Sequence, residues 1–209
     1  MDERFEIYYN LLIEWNQKFN LTSITQKDQV ELLHFKDSIL PQDLIKQNAT
    51  VLDIGSGAGF PSVPLKIVRE DLDITMVDSL NKRIAFLNEV IEKLRLTDII
   101  ALHKRAEELD KNIKYDVVTA RAVAPLRVLC EYCIPFVKIG GIMLAYKSDE
   151  VEQELKEAQN AIEILGGKLE SVQKRKLDDI VRSFVIIKKI KPTPSAYPRG
   201  GNKPRIKPL

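Results

Sequence analysis

Residues 51–67 read VLDIGSGAGFPSVPLKI. Apolar residues run into an acid, Asp53, then into three alternate glycines, Gly55, Gly57 and Gly59, followed by Phe60 and two prolines. An apolar run that ends in a glycine-rich turn and resumes at helical spacing opens a strand–loop–helix unit. The pattern repeats downstream. The sequence predicts strands at 49–54, 73–78, 99–103, 115–120 and 141–146, the last after a Gly140-Gly141 turn. Helical patterns lie between them: one through 59–70, one at 82–94, one opened by Pro125 and running to about Phe136, and one at 149–165. Two final strands, 167–175 and 183–190, flank the polar KLDDIVR and read as an antiparallel hairpin. Strands alternating with helices give an α/β, doubly wound, mostly parallel seven-stranded sheet of Rossmann-like type.

Two helices precede this unit. Phe5, Tyr8, Leu12, Trp15 and Phe19 recur at steps of three and four, one face of an amphipathic helix over 4–20. Thr25 and Asp28 have the spacing of a capping box for a second helix, which Pro41 closes. The expected organisation is a helical extension over 1–48, a Rossmann-like body over 49–190 and a tail over 191–209, all in one domain. The tail holds five of the ten prolines and two glycines, so it is expected to be extended or looped.

In an open parallel sheet, ligands sit beyond the carboxyl ends of the strands, at the switch point. The loop at Gly55, Gly57 and Gly59 is the natural cradle, because glycine lets backbone approach a ligand where a Cβ collides. The dinucleotide fingerprint needs a third glycine at position 60, which is Phe60, and no Gly-Lys follows for a phosphate loop. A loop of this kind suits a nucleoside without pyrophosphate, and S-adenosylmethionine fits. The second strand ends at Asp78, where a carboxylate can accept from both ribose hydroxyls or cap the next helix. Asp53 can orient the loop by bonding its amides. Ala106 and Glu107 follow the third strand, where an adenine would lie, although an exposed glutamate is often only solvated. Phe60 can pack under a ligand or form loop core.

Net charge is +2, but it is unevenly spread: from Ile180 onward there are eight basic residues and no acid. An acidic body with a basic end suggests an anionic partner for the end. Tyr197, Arg199, Lys203, Arg205 and Lys207 place an aromatic among spaced cations in that end, a combination suited to RNA phosphates and stacking. Lys82, Arg83, Lys104 and Arg105 can border the same cleft. Arg121 and Lys147 end the fourth and fifth strands, facing the ligand edge; Arg121 can contact a cofactor carboxylate or an RNA phosphate, Lys147 can hold a phosphate or guanine O6, and either can instead form a rim salt bridge. His34 and Asp37 stand three apart on one helix and either face the cleft or make a helix–helix polar contact. Cys130 and Cys133 fall mid-helix and read as small buried residues, so no metal site is expected. No stretch approaches the length of a membrane helix, and the few cysteines suit a reducing cytoplasm.

The segments DIGSGAGFPSVPLKI, VDSLNKR, HKRAEEL, VVTARAVAPL and YPRGGNKPRIKPL, with WNQKFNLTSI and HFKDSI near the front, together resemble the bacterial ribosomal RNA small subunit methyltransferase G family, also called glucose-inhibited division protein B. The resemblance covers nearly the whole chain. It implies methyl transfer from S-adenosyl-L-methionine to N7 of a guanine in the decoding region of 16S rRNA, with 16S rRNA or the small ribosomal subunit as partner; a monomer is the default expectation. By motif it implies cofactor contacts from Gly55, Phe60, Ala106, Glu107 and Arg121. The tail departs from the family pattern at Gly200-Gly201-Asn202, where a basic or Lys-Pro stretch is common. A class I methyltransferase acting on a small molecule or protein, and a non-catalytic RNA-binding assembly module, are the alternatives.

Overall fold

A computed structural model describes residues 2–209. Seven strands form one sheet in the order β3-β2-β1-β4-β5-β7-β6. They are β1 (Thr50–Ile54), β2 (Asp73–Asp78), β3 (Ile99–His103), β4 (Tyr115–Arg121), β5 (Val137–Ser148), β6 (Gly167–Leu177) and β7 (Ile180–Lys189). β1 to β5 run parallel, and β7 enters antiparallel between β5 and β6. The chain runs outward from β1 through β2 to β3, then returns to place β4 on the other side of β1. The β1–β4 boundary is therefore the switch point, where the loops leaving adjacent strands diverge and leave a crevice.

The sheet is covered on both faces, which is why β1 and β2 are buried at every position but their first. On one face α1 (Glu3–Asn16), α4 (Ser62–Val68) and α5 (Asn81–Lys93) bury Phe5, Tyr8, Leu12, Val63, Leu65, Phe86 and Leu87 in one cluster. On the other, α6 (Leu126–Cys133) and α7 (Glu152–Ile164) bury Leu129, Cys133, Ala158 and Ile162 against Val118, Met143 and Val185. Cys130 and Cys133 are both fully buried free thiols, and burial pushes both well up from the ordinary thiol range.

Four local expectations need correction. The Thr25–Asp28 capping box does not form. α2 (Lys27–Val30) starts later, after Gln26, with no side-chain cap, and Asp28 lies inside its first turn. The helix then widens into a π-helical stretch, Glu31–Lys36, before α3 (Asp37–Ile39). Gly140-Gly141 is not a turn before β5 but lies within it, at an irregularity opposite Tyr115 and Val117. A Cβ on Gly141 would stand 2.5 Å from the Asp116 carbonyl, so the crossing backbones need glycine there. KLDDIVR is mostly strand: Lys176 pairs with Val181, and only Asp178-Asp179 turns, with Asp178 at φ 51°. Aspartate tolerates that left-handed conformation better than most residues. The tail is not wholly extended, since α8 (Lys203–Ile206) makes one turn with Pro204 in it, where proline has no helical amide bond to lose.

Candidate functional site

A cavity of about 260 Å³ opens beyond the carboxyl ends of β1, β2 and β3. Gly55, Asp78, Arg83, Ala106, Glu107, Val123 and Tyr132 are among its walls. The loop after β1 reaches it because two successive amides, Gly55 N and Ser56 N, donate to the Val77 carbonyl at 2.8 and 3.1 Å. Asp78 fixes the next turn. Its Oδ2 accepts from Gly57 N at 2.9 Å and from Arg83 Nη1 at 3.1 Å, while Oδ1 accepts only from Leu80 N at 2.9 Å. Each carboxylate oxygen has two lone pairs, so Oδ1 retains acceptor capacity toward the cavity. Asp78 is thus a cavity wall that turns the chain toward α5 through Leu80 N; the helix cap that the sequence offered as its other role does not form, because the helix starts at Asn81 with no side-chain cap.

The glycines divide by role. Gly55, at φ 73°, lines the cavity, and a Cβ there would come within 2.6 Å of Val123. Gly59, at φ 94°, faces inward instead: its Cβ would meet Tyr8 Oη and Val63 at 2.8 Å. Gly57, at φ 57°, has open space and is needed for its backbone angle. Neither Gly57 nor Gly59 is a cavity wall. Phe60 is loop core: it is buried against Tyr8, Phe35 and the His34 ring, 4.4 Å away.

Asp53 does not bond the glycine amides, contrary to expectation; Asp78 does. The Asp53 side chain is fully buried at the end of β1, where its Oδ2 accepts from Ser62 Oγ at 2.7 Å. Its Oδ1 and the nearby Ser56 Oγ have no hydrogen-bond partner among the described residues. Burial pushes the carboxyl up to about 7, against the Ser62 bond and the Arg121 charge, which pull it down.

Arg121 and Lys147 do not reach the first cavity. They line a second of about 410 Å³, with His34, Asp37, Tyr146, Glu154 and Arg182. The two cavities share one wall, Ala122, at φ 57°. Arg121 Nη1 donates to Asp37 Oδ2 at 2.7 Å, its Nη2 lies 2.9 Å from His34 Nδ1, and its guanidinium stacks over Phe60 at 5.2 Å. Arg182 Nε holds the other Asp37 oxygen at 2.7 Å. Burial first, and the Arg121 charge second, hold the His34 imidazole down to about 4. Lys147 is nearly buried, paired with Glu154 at 2.7 Å and donating to the Ala124 carbonyl at 3.1 Å. It is therefore a rim salt bridge here, and its cation is engaged.

The tail residues separate in the same way. Tyr197 packs against the core under α6. Arg199 is bound to Glu131, while Lys203 and Lys207 are exposed and Arg205 is a wall of the first cavity. Arg83, Lys104 and Arg105 line that cavity too, but Lys82 turns away, its ammonium 4.5 Å above the Phe19 ring. Val123, Tyr132, Asn202 and Arg182 went unread in the sequence. Tyr132 sits on the apolar face of α6 and reads as core, and Arg182 lies in a strand far along the chain from Asp37. Among the described residues no cluster of three His, Cys, Asp or Glu could hold a metal ion, and no helix is long and apolar enough to cross a membrane.

A family model described as rRNA small subunit methyltransferase G matches residues 1–183. The chain is 51% identical over 213 residues to the ribosomal RNA small subunit methyltransferase G of Desulforamulus reducens, covering 98% of this chain and 89% of that one. It is 52% identical over 215 residues to the protein of that name from Lachnoclostridium phytofermentans, covering 99% and 89%. Among solved structures, M. jannaschii TYW2 in complex with AdoMet is similar over 75% of this chain and 76% of that one, at TM-score 0.62 and 16% identity. A methyltransferase from Pyrococcus furiosus is similar over 73% and 81%, at TM-score 0.58 and 17% identity. These two likenesses are of fold, the class I methyltransferase sheet with its antiparallel last pair. The sequence matches go further, and on them the chain belongs to the rRNA small subunit methyltransferase G family.

Proposed function

We propose that this protein transfers a methyl group from S-adenosyl-L-methionine to N7 of a guanine in the decoding region of 16S rRNA, acting as a monomer in the cytoplasm. The observation that carries the reading is the first cavity, built by the glycine loop, Asp78 and Ala106-Glu107 at the switch point of a chain in this family. The residues present fit a nucleoside. Asp78 Oδ1 has acceptor capacity for ribose hydroxyls, Gly55 leaves room for close approach, and Ala106 with Tyr132 offers an apolar wall for a base.

When bound, S-adenosylmethionine supplies a methyl group activated by its sulfonium. Guanine N7 carries a free lone pair and no proton, so the chain need not provide a general base. Its residues agree with that: Asp53 is sealed from solvent, and burial, with the Arg121 charge second, holds His34 down to about 4, which makes it a weak base. What the chain supplies is position. Asp78 and Gly55 fix the nucleoside end, while the Ala122 wall joins the first cavity to the second and brings donor and acceptor sides together. Arg121 acts on the cofactor side by holding the loop through Phe60, and exposed Lys203 and Lys207 meet RNA phosphate.

The test is transfer of labelled methyl from S-adenosylmethionine to small ribosomal subunits lacking the modification, followed by strand cleavage selective for N7-methylguanine. One labelled guanine near the decoding site is expected. Cofactor binding without transfer to any form of the RNA would overturn the RNA reading in favour of a small-molecule or protein acceptor.

A further inference from the structure

The family model ends at residue 183, yet the chain beyond it does not hang free. It leaves β7 across Gly166, where a Cβ would stand 2.2 Å from the Lys191 carbonyl. Thr193 Oγ1 donates to the Leu165 carbonyl at 2.6 Å, and Tyr197 and Leu209 pack against the core cluster of α6 and α7. The strongest attachment is at Arg199. Its Nε and Nη2 donate to the two oxygens of Glu131, at 2.8 and 2.6 Å, and its backbone amide adds a third bond at 2.8 Å. Glu131 is 1% exposed. A buried carboxylate with a two-pronged arginine partner is a fixed attachment, because releasing the arginine would strand the charge. Three residues on, the chain turns through α8 and sets Asn202 and Arg205 into the wall of the first cavity, opposite the glycine loop. Arg205 Nη2 donates to the Val123 carbonyl at 3.3 Å, which leaves most of its five N–H donors for a ligand.

We propose that the tail is part of the cofactor site: Asn202 and Arg205, held in place by the Arg199–Glu131 attachment, bind the S-adenosyl nucleoside directly. This rests on the proposed cofactor reading and changes the division of labour in the tail. Arg199 is a strut, Arg205 and Asn202 serve the small ligand, and Lys203 and Lys207 are left to face RNA. Because the site uses the nucleoside rather than the methyl, the tail holds S-adenosylhomocysteine as it holds S-adenosylmethionine.

Calorimetric titration of the full chain with each nucleoside tests this. Arg205→Ala is expected to weaken both by about tenfold, the loss of one hydrogen bond from a charged donor, with an unchanged thermal midpoint in the absence of ligand. Asn202→Ala is expected to weaken both by a smaller factor. A Lys203→Ala/Lys207→Ala double variant should leave both dissociation constants as they were while raising KM for the small subunit. Arg205→Ala binding within twofold of the unaltered chain, with KM for the subunit raised instead, would overturn the proposal and leave the methyltransferase reading intact. Failure of the unaltered chain to bind either nucleoside would overturn both.

Discussion

Asp53 and His34 are buried on either side of Arg121 and titrate in opposite senses. The Asp53 carboxyl is raised to about 7 from an ordinary value near 3.8, so the stability it contributes is whole below 3.8 and is lost as pH rises through 7. The His34 imidazole is lowered to about 4 from 6.5, so its contribution is whole above 6.5 and is lost as pH falls through 4. Between pH 4 and 6.5 the two slopes oppose and largely cancel. Asp53→Asn removes one of them: its urea midpoint should fall on acidification from 6.5 to 4 more steeply than that of the unaltered chain. His34→Gln should show the reverse, losing stability as pH rises from 4 to 7. Unfolding curves at constant ionic strength decide it, and a pH profile of Asp53→Asn parallel to the parent would refute the cancellation.

Neither shift was legible in the sequence, and the reason is physical. Asp53 reads as a loop-orienting acid because it directly precedes the glycines. In the sheet it is the last buried position of β1 but one, with its side chain against Ser62 rather than the loop amides. The residue that does bond a loop amide, Asp78, comes from the neighbouring strand, and only the parallel register of β1 and β2 brings it there. Local patterns located Gly55, Asp78, Ala106 and Glu107, because each ends a strand of the same repeating unit or lies in the loop that follows one. They could not locate the partners of Arg121, since His34 and Asp37 lie in elements far from it along the chain.

At the scale of elements, the helix ahead of the sheet is tied to the glycine loop by one hydroxyl. Tyr8, fully buried on α1, donates its Oη to the carbonyl of Ala58, inside the Gly57–Gly59 turn. The helical period identified Tyr8 as a core residue but gave no hint of this bond, because amphipathic spacing reports a face and not its partner. Tyr8→Phe keeps the ring stacked on Phe35 and leaves the carbonyl of buried Ala58 without its donor. The expected cost is about 1–2 kcal/mol, read as a lower urea midpoint with unchanged m-value. The loop loses its fixed carbonyl in the same step, so the dissociation constant for S-adenosylmethionine should rise as well. A stability loss with no change in cofactor affinity would mean that α1 only covers the sheet. The hairpin shows the same limit: the sequence places its two strands, but their length follows from pairing with each other and with β5.

At the scale of the whole molecule, charge is segregated: eight basic residues and no acid from Ile180 onward, and an excess of acids before it. The structure reduces what that end can offer to RNA. Arg182 is paired with Asp37, Arg199 with Glu131, Lys189 is buried on the Leu165 carbonyl, and Arg205 turns into the first cavity. The exposed remainder includes Lys203 and Lys207, which share one short stretch beside the cavity mouth. Binding by those cations releases condensed counterions from the RNA, so log KM for the small subunit should rise linearly with log salt. Each cation that contacts a phosphate contributes roughly 0.7–0.9 to the slope, and substituting Lys203 or Lys207 by alanine should lower it by about that much. An Arg199→Gln/Glu131→Gln double variant, which removes that cation without stranding its buried partner, should leave the slope unchanged, since the cation is spent on Glu131. A salt slope equally reduced by that double variant would show that the tail opens from the body when RNA binds, and that the attachment at Glu131 exists only in the free protein.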